Sequence, residues 1–140
     1  MKRQIPGLHS RSADESPLEG LFLVRVEGVS YRWHRQKPFF DIRFCVIEPE
    51  FAANCSFSGR LYCTEKALWK LHRFLGDFGY DQDLLRVDQV DEKALVNLRG
   101  VVRTTQVMHL GRRFQNLDGF APEASWEELS CVIGSREKQP

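Results

Sequence analysis

From residue 20 to residue 122 the apolar positions of this chain recur mostly with a period of two, interrupted by one stretch with a period near 3.6. In GLFLVRVEGVSYRW, Phe22, Val24 and Val26 alternate with Leu21, Leu23, Arg25 and Glu27. That pattern predicts a first strand with one face toward a core, and Gly28 marks a bulge or sharp bend in it. Arg32 to Lys37, RWHRQK, breaks the alternation and reads as a loop. Pro38 starts the second strand from its first position, where a missing N–H does least harm. Phe40, Ile42, Phe44 and Val46 then face inward, and Phe39, Asp41, Arg43 and Cys45 outward. A third strand, CSFSGRLYC, turns Phe57 and Leu61 in and Ser56, Ser58, Arg60 and Tyr62 out.

The period changes at Thr64 to Gly79, TEKALWKLHRFLGDFG. Ala67, Leu68, Leu71, Phe74, Leu75 and Phe78 line one stripe of an amphipathic helix, with Lys66, Lys70, Arg73 and Asp77 opposite and Trp69 and His72 on the flank. Thr64 is placed to cap the first turn and Gly79 to end the last. Residues 80–98 are rich in Asp and carry only a short helical pattern near their end. VVRTTQVMHL and RRFQNLDGF follow as a fourth and a fifth strand joined at Gly111 into a hairpin. Beyond them SWEELSCVI has the spacing for one or two amphipathic turns packing back on the body.

One helix of about four turns cannot bury its own stripe, so the strands on either side must supply the opposing surface. Three strands, a helix and two strands in a chain of 140 residues is the order of an OB-fold. The expected fold class is therefore mainly β (α+β), a five-stranded OB-like barrel with one long helix between strands 3 and 4. Residues 20–122 form that domain, 1–19 a flexible N-terminal arm and 123–140 a polar C-terminal tail.

A formal net charge of +1 argues against a globally basic binder and moves attention to where the charges lie. Acids gather at 77–92 and 123–128, while Arg32 to Lys37 and Arg112 to Arg113 have none among them. Cys45, Cys55, Cys63 and Cys131 lack the close pairing of a zinc knuckle, so free thiols in a reducing cytoplasm are expected. No apolar stretch reads as a signal peptide or a membrane span. No phosphate loop, nucleophile elbow or metal-spaced His pair appears, and Asp41, Glu48 and Glu50 read as solvated strand-edge acids rather than nuclease carboxylates. No enzyme, cofactor or metal site is expected.

Binding residues are more visible. An OB-fold carries oligonucleotides across the outer face of strands two and three, between the first hairpin loop and the last. Here those loops are RWHRQK and HLGRR. Arg32, Arg35, Lys37, Arg112 and Arg113 would neutralise phosphates, and Trp33, His34 and Phe39 would offer flat faces to unstacked bases. Arg43, Arg60 and Tyr62 would line the floor.

FDIRFCVIE at Phe40 to Glu48, TEKALWKLHRFLGDFG at Thr64 to Gly79 and GRRFQNLDGFAP at Gly111 to Pro122 together resemble the small phage- and prophage-associated proteins regarded as single-stranded-DNA-binding OB-folds. The resemblance covers about three quarters of the chain, Gly20 to Pro122, and lies in layout and core positions. It implies single-strand binding in replication or recombination, around Arg32 to Lys37 and Arg112 to Phe114, with recombination or replication proteins as further partners; the sequence does not fix the number of subunits and leaves a homo-oligomer open. The near-neutral charge, the Asp-rich segment and the lack of an acidic final tail depart from that family. They leave open the alternative of a protein-interaction module of a mobile-element assembly, built on a degenerate OB-fold.

Overall fold

The computed structural model describes residues 19–131. The expected arm, apart from its last residue, and the end of the expected tail, residues 132–140, lie outside that span. The chain forms β1 (Gly20–His34), β2 (Lys37–Glu48), β3 (Ser56–Tyr62), α1 (Leu68–Asp77), α2 (Gln82–Arg86), α3 (Glu92–Leu95), β4 (Arg99–His109) and β5 (Arg112–Pro122). The strands make one antiparallel sheet in the order β3-β2-β1-β4-β5. Residues 126–131 close the described chain as a helical turn.

β1 is long because it serves two neighbours. Its first half pairs with β4, Gly20 opposite Thr104 and Arg25 opposite Arg99. Its second half pairs with β2 alone, Val29 opposite Ile42 and His34 opposite Lys37. The ladder to β2 skips a residue between Val26 and Gly28. A bulge there adds twist where the strand changes partner. The resulting curl brings the sheet's edges together: a Cβ on Gly59 of β3 would lie 2.4 Å from the Leu117 side chain of β5. β3 and β5 meet through side chains rather than as hydrogen-bonded neighbours, so the closed ladder of a barrel is not formed. A further skip, between Arg103 and Thr104 in the β4–β5 ladder, interrupts β5 next to Leu117.

The inward alternation read from the sequence matches the packing. Phe22, Val24, Val26, Ile42, Phe44, Val46, Phe57 and Leu61 are all buried in one cluster. The helix supplies Leu71, Phe74, Leu75 and Phe78 to the same cluster. Phe74 and Phe78 stack at 4.6 Å and both meet Phe44 and Phe120.

The single long helix is corrected to three short ones. Thr64 does not cap: its carbonyl accepts from the Ala67 N–H at 2.9 Å, closing a turn, and α1 begins only at Leu68. Leu68, expected on the buried stripe, is exposed as a result. The other end forms as expected, with Gly79 at φ 76°, its N–H donating to the Gly76 carbonyl and the Tyr80 N–H to that of Leu75. The Asp-rich stretch makes α2 and α3, because Asp81 and Asp91 accept from backbone N–H groups of their first turns. Buried Tyr80 ties the two together, its hydroxyl donating to the Gln89 carbonyl and accepting from the Asp91 N–H.

Packing also continues beyond Pro122. Trp126 is buried with Leu23 and Val101 in a second small cluster on the outer face of β1 and β4. Its indole N–H donates to Glu48.

Candidate nucleic-acid interface

Two hairpin arms and the floor between them hold the residues singled out above. The first arm is not a loop. Arg32, Trp33 and His34 belong to β1 and pair with Phe39, Pro38 and Lys37. Only Arg35 and Gln36 turn, with φ 50° and 66°. Two successive left-handed residues make the tight turn whose twist suits a hairpin.

Strand geometry then sorts the arm into two faces, since neighbours alternate and cross-strand partners share a side. Arg32 and His34 lie on the outer side with Lys37, Phe39 and Tyr62. Tyr31 and Trp33 lie on the other side with Phe40. Tyr31 packs against Phe40 at 5.1 Å and meets Trp33 edge-on at 6.1 Å. Trp33 is 64% exposed and Tyr31 42%. The arm is thus a ribbon, cationic on one surface and aromatic on the other.

Phe39 requires a correction. Its outward position does not make it an exposed platform, because it is 3% exposed. The Arg60 guanidinium lies 4.6 Å above its ring and Tyr62 packs beside it at 5.2 Å. The surface groups at that point are Arg60 and Tyr62, joined by a 3.3 Å hydrogen bond from the guanidinium to the phenol oxygen. Arg43 is exposed farther along the floor but lies 3.5 Å from Glu27, which also accepts from the Ser56 hydroxyl. Its charge is partly answered.

The second arm is the distal part of the β4–β5 hairpin, turned at Leu110 and Gly111 with φ 51° and 78°. Val107 pairs with Phe114 and His109 with Arg112 on one face, Met108 with Arg113 on the other. Val107, Met108, Leu110 and Phe114 are exposed. Residues 104–117 contain no acid, nor do residues 28–40. Among the described residues no ion pair engages Arg32, Arg35, Lys37, Arg112 or Arg113.

The register fixes how the arms relate. β3 and β5 both run parallel to β1, and the Gly59–Leu117 contact sets them side by side. The first arm stands at the C-terminal end of β3, where Tyr62 meets Phe39 and Phe39 meets Arg32. The second stands toward the N-terminal end of β3, where β5 begins. The outer β2–β3 face lies between them.

No family model and no curated protein matches this chain. Among the described residues no group of three or more His, Cys, Asp or Glu is placed to hold a metal ion. Burial pushes the Cys63 thiol up, away from thiolate chemistry. On α1, burial lowers the pKa of Lys70, and nearby Asp118 opposes that shift. None of the described helices is long and apolar enough to cross a membrane.

Sequence reasoning missed Tyr31 as a site residue, and the signal was present: Val29, Tyr31 and Trp33 recur every second residue, continuing the strand through the expected loop. It also missed Met108 as an exposed group, since a β-branched run ending in apolar residues gives no sign that the sheet ends first; Leu110 lies in the expected loop HLGRR but was given no role there.

Proposed function

We propose that this chain binds single-stranded DNA without base specificity, on an OB-like curled sheet, in phage- or prophage-type replication or recombination in the cytoplasm. The observation carrying the proposal is that two hairpin arms without acidic residues, whose cations form no ion pair among the described residues, stand at either end of an outer β2–β3 face bearing Asp41, Arg43, Arg60 and Tyr62. A single strand needs that combination, because each linkage is negative and each base has a π-face. The backbone runs from Arg32, His34 and Lys37 across Arg60 and Tyr62 toward Arg112 and Phe114. Trp33 faces away from that floor, so a base reaches it only where the strand passes over the edge of the first arm. The resemblance in layout to single-strand-binding OB-folds supports the same reading, with α1 between β3 and β4 as the barrel helix.

Fluorescence anisotropy with labelled oligo-dT at several salt concentrations tests the proposal. Three to five neutralised phosphates give a slope of log K on log salt of roughly −2 to −3.5. Trp33→Ala costs about 1–3 kcal/mol of binding if its ring stacks, with the melting temperature unchanged. Binding insensitive to salt, or as tight to duplex as to single strand, would overturn the reading.

A second reading, a protein-interaction module, is favoured by the exposed apolar side chains of the second arm and by Leu68 and Trp69 at the start of α1. Salt-insensitive oligonucleotide binding would bring it forward.

A further inference from the structure

The apolar tip of the second arm is the least explained surface of the molecule. Leu110 is 89% exposed and Met108 62%, on a hairpin that extends past the partner strand, since β1 begins only opposite Thr104. A nucleic acid explains Arg112 and Arg113 but not a bare leucine at the turn. Apolar side chains ringed by like charge are the usual make-up of a protein contact.

The same chain carries a surface of opposite character. Residues 81–95 hold five acids, at 81, 83, 88, 91 and 92, against two bases, Arg86 and Lys93. Val87 is 60% exposed among them and Val96, just after α3, 36%. The arm's residues 105–116 carry two arginines and no acid. The two surfaces are complementary: both expose apolar groups, and one carries positive charge where the other carries negative.

A molecule cannot bring its own arm to its own α2–α3 surface. α3 leads directly into the start of β4, and the arm's tip lies at the far end of that strand. Eleven residues of β4 span about 35 Å at roughly 3.3 Å each. We propose that the β4–β5 arm of one copy docks on the α2–α3 surface of a second copy, in a head-to-tail contact. The contact is heterologous, so each docked pair leaves one arm and one acidic surface free, and the assembly grows into a chain or closes into a ring. It does not rest on the nucleic-acid reading, but Arg112 and Arg113 lie on the same arm, so it is tested without nucleic acid.

Sedimentation velocity of the full chain without nucleic acid tests this. The wild type sediments faster as concentration rises at low salt, and the effect shrinks at high salt, where charges are screened. An arm variant, Leu110→Asp with Arg112→Glu, and a surface variant, Val87→Asp with Asp88→Lys, each weaken self-association about tenfold or more. Circular dichroism melts show both still folded, since every altered side chain is exposed. Mixed together, the two variants form a one-to-one dimer and nothing larger, because one keeps a working arm and the other a working acidic surface. A wild type that stays monomeric throughout overturns the proposal. So does association that survives either variant, or a mixture that fails to pair. Loss in the arm variant alone would mean an arm-to-arm contact and would equally overturn it.

Discussion

At the scale of single residues, the sheet's curl depends on side chains that are absent as much as on those present. Leu117 is 1% exposed and fills the space where a Cβ on Gly59 would sit, at 2.4 Å from its Cγ. A side chain buried on all sides cannot step back from such a contact. Gly59→Ala is therefore expected to cost about 1–3 kcal/mol through overpacking, read as a lower urea midpoint with an unchanged slope. In the double variant with Leu117→Ala the two losses should add to less than their sum, since each relieves the other. The same residue scale explains Phe39. Alternation put it outside correctly, yet Arg60 and Tyr62 close over it, so a residue's side of the sheet does not decide its exposure when long neighbours can fold across.

At the scale of elements, repeating patterns were legible, as were the turns that Gly79 and Gly111 announce; the turn at Arg35 and Gln36 was not. The inward rows of β1, β2 and β3 could be read because a period of two is written by many residues at once. The first arm could not, because Arg35 and Gln36 take left-handed backbone without the Asn or Gly that usually announces it. The start of α1 was misread for a related reason: Thr64 is a good capping residue, but its own carbonyl holds a turn that delays the helix. The Asp-rich stretch shows a helical pattern only near its end, where α3 forms, because a helix as short as α2 carries too few turns to show a period. The arm gives a direct check. Left-handed conformation costs a side-chain-bearing residue roughly 1–2 kcal/mol. Gln36→Gly should thus raise stability by about 0.5–1 kcal/mol after the added freedom of the unfolded chain is subtracted. Thermal melting would record it. A loss instead would mean that the Gln36 side chain holds the arm in place.

At the scale of the whole molecule, the folded unit is defined by two cores on opposite faces of one sheet. The larger lies inside the curl. The smaller, Leu23 with Val101 and Trp126, lies outside it on β1 and β4, and Leu21, Ile47, Ala121 and Leu129 pack around it. Trp126 spans both kinds of bond the second core uses: its ring is 8% exposed and its indole N–H reaches Glu48 at the end of β2. It therefore pins the chain's last described turn across three strands. Trp126→Ala should cost about 3–5 kcal/mol, in the range of a buried aromatic lost from a core. Trp126→Phe keeps most of the apolar contact and gives up the hydrogen bond, so its loss should be smaller, about 1–3 kcal/mol. Truncation after Pro122 should resemble the alanine variant rather than the wild type when the three are unfolded side by side in urea. If the truncated chain unfolded at the wild-type midpoint, the outer cluster would contribute nothing to folding, and the domain would end at β5 after all.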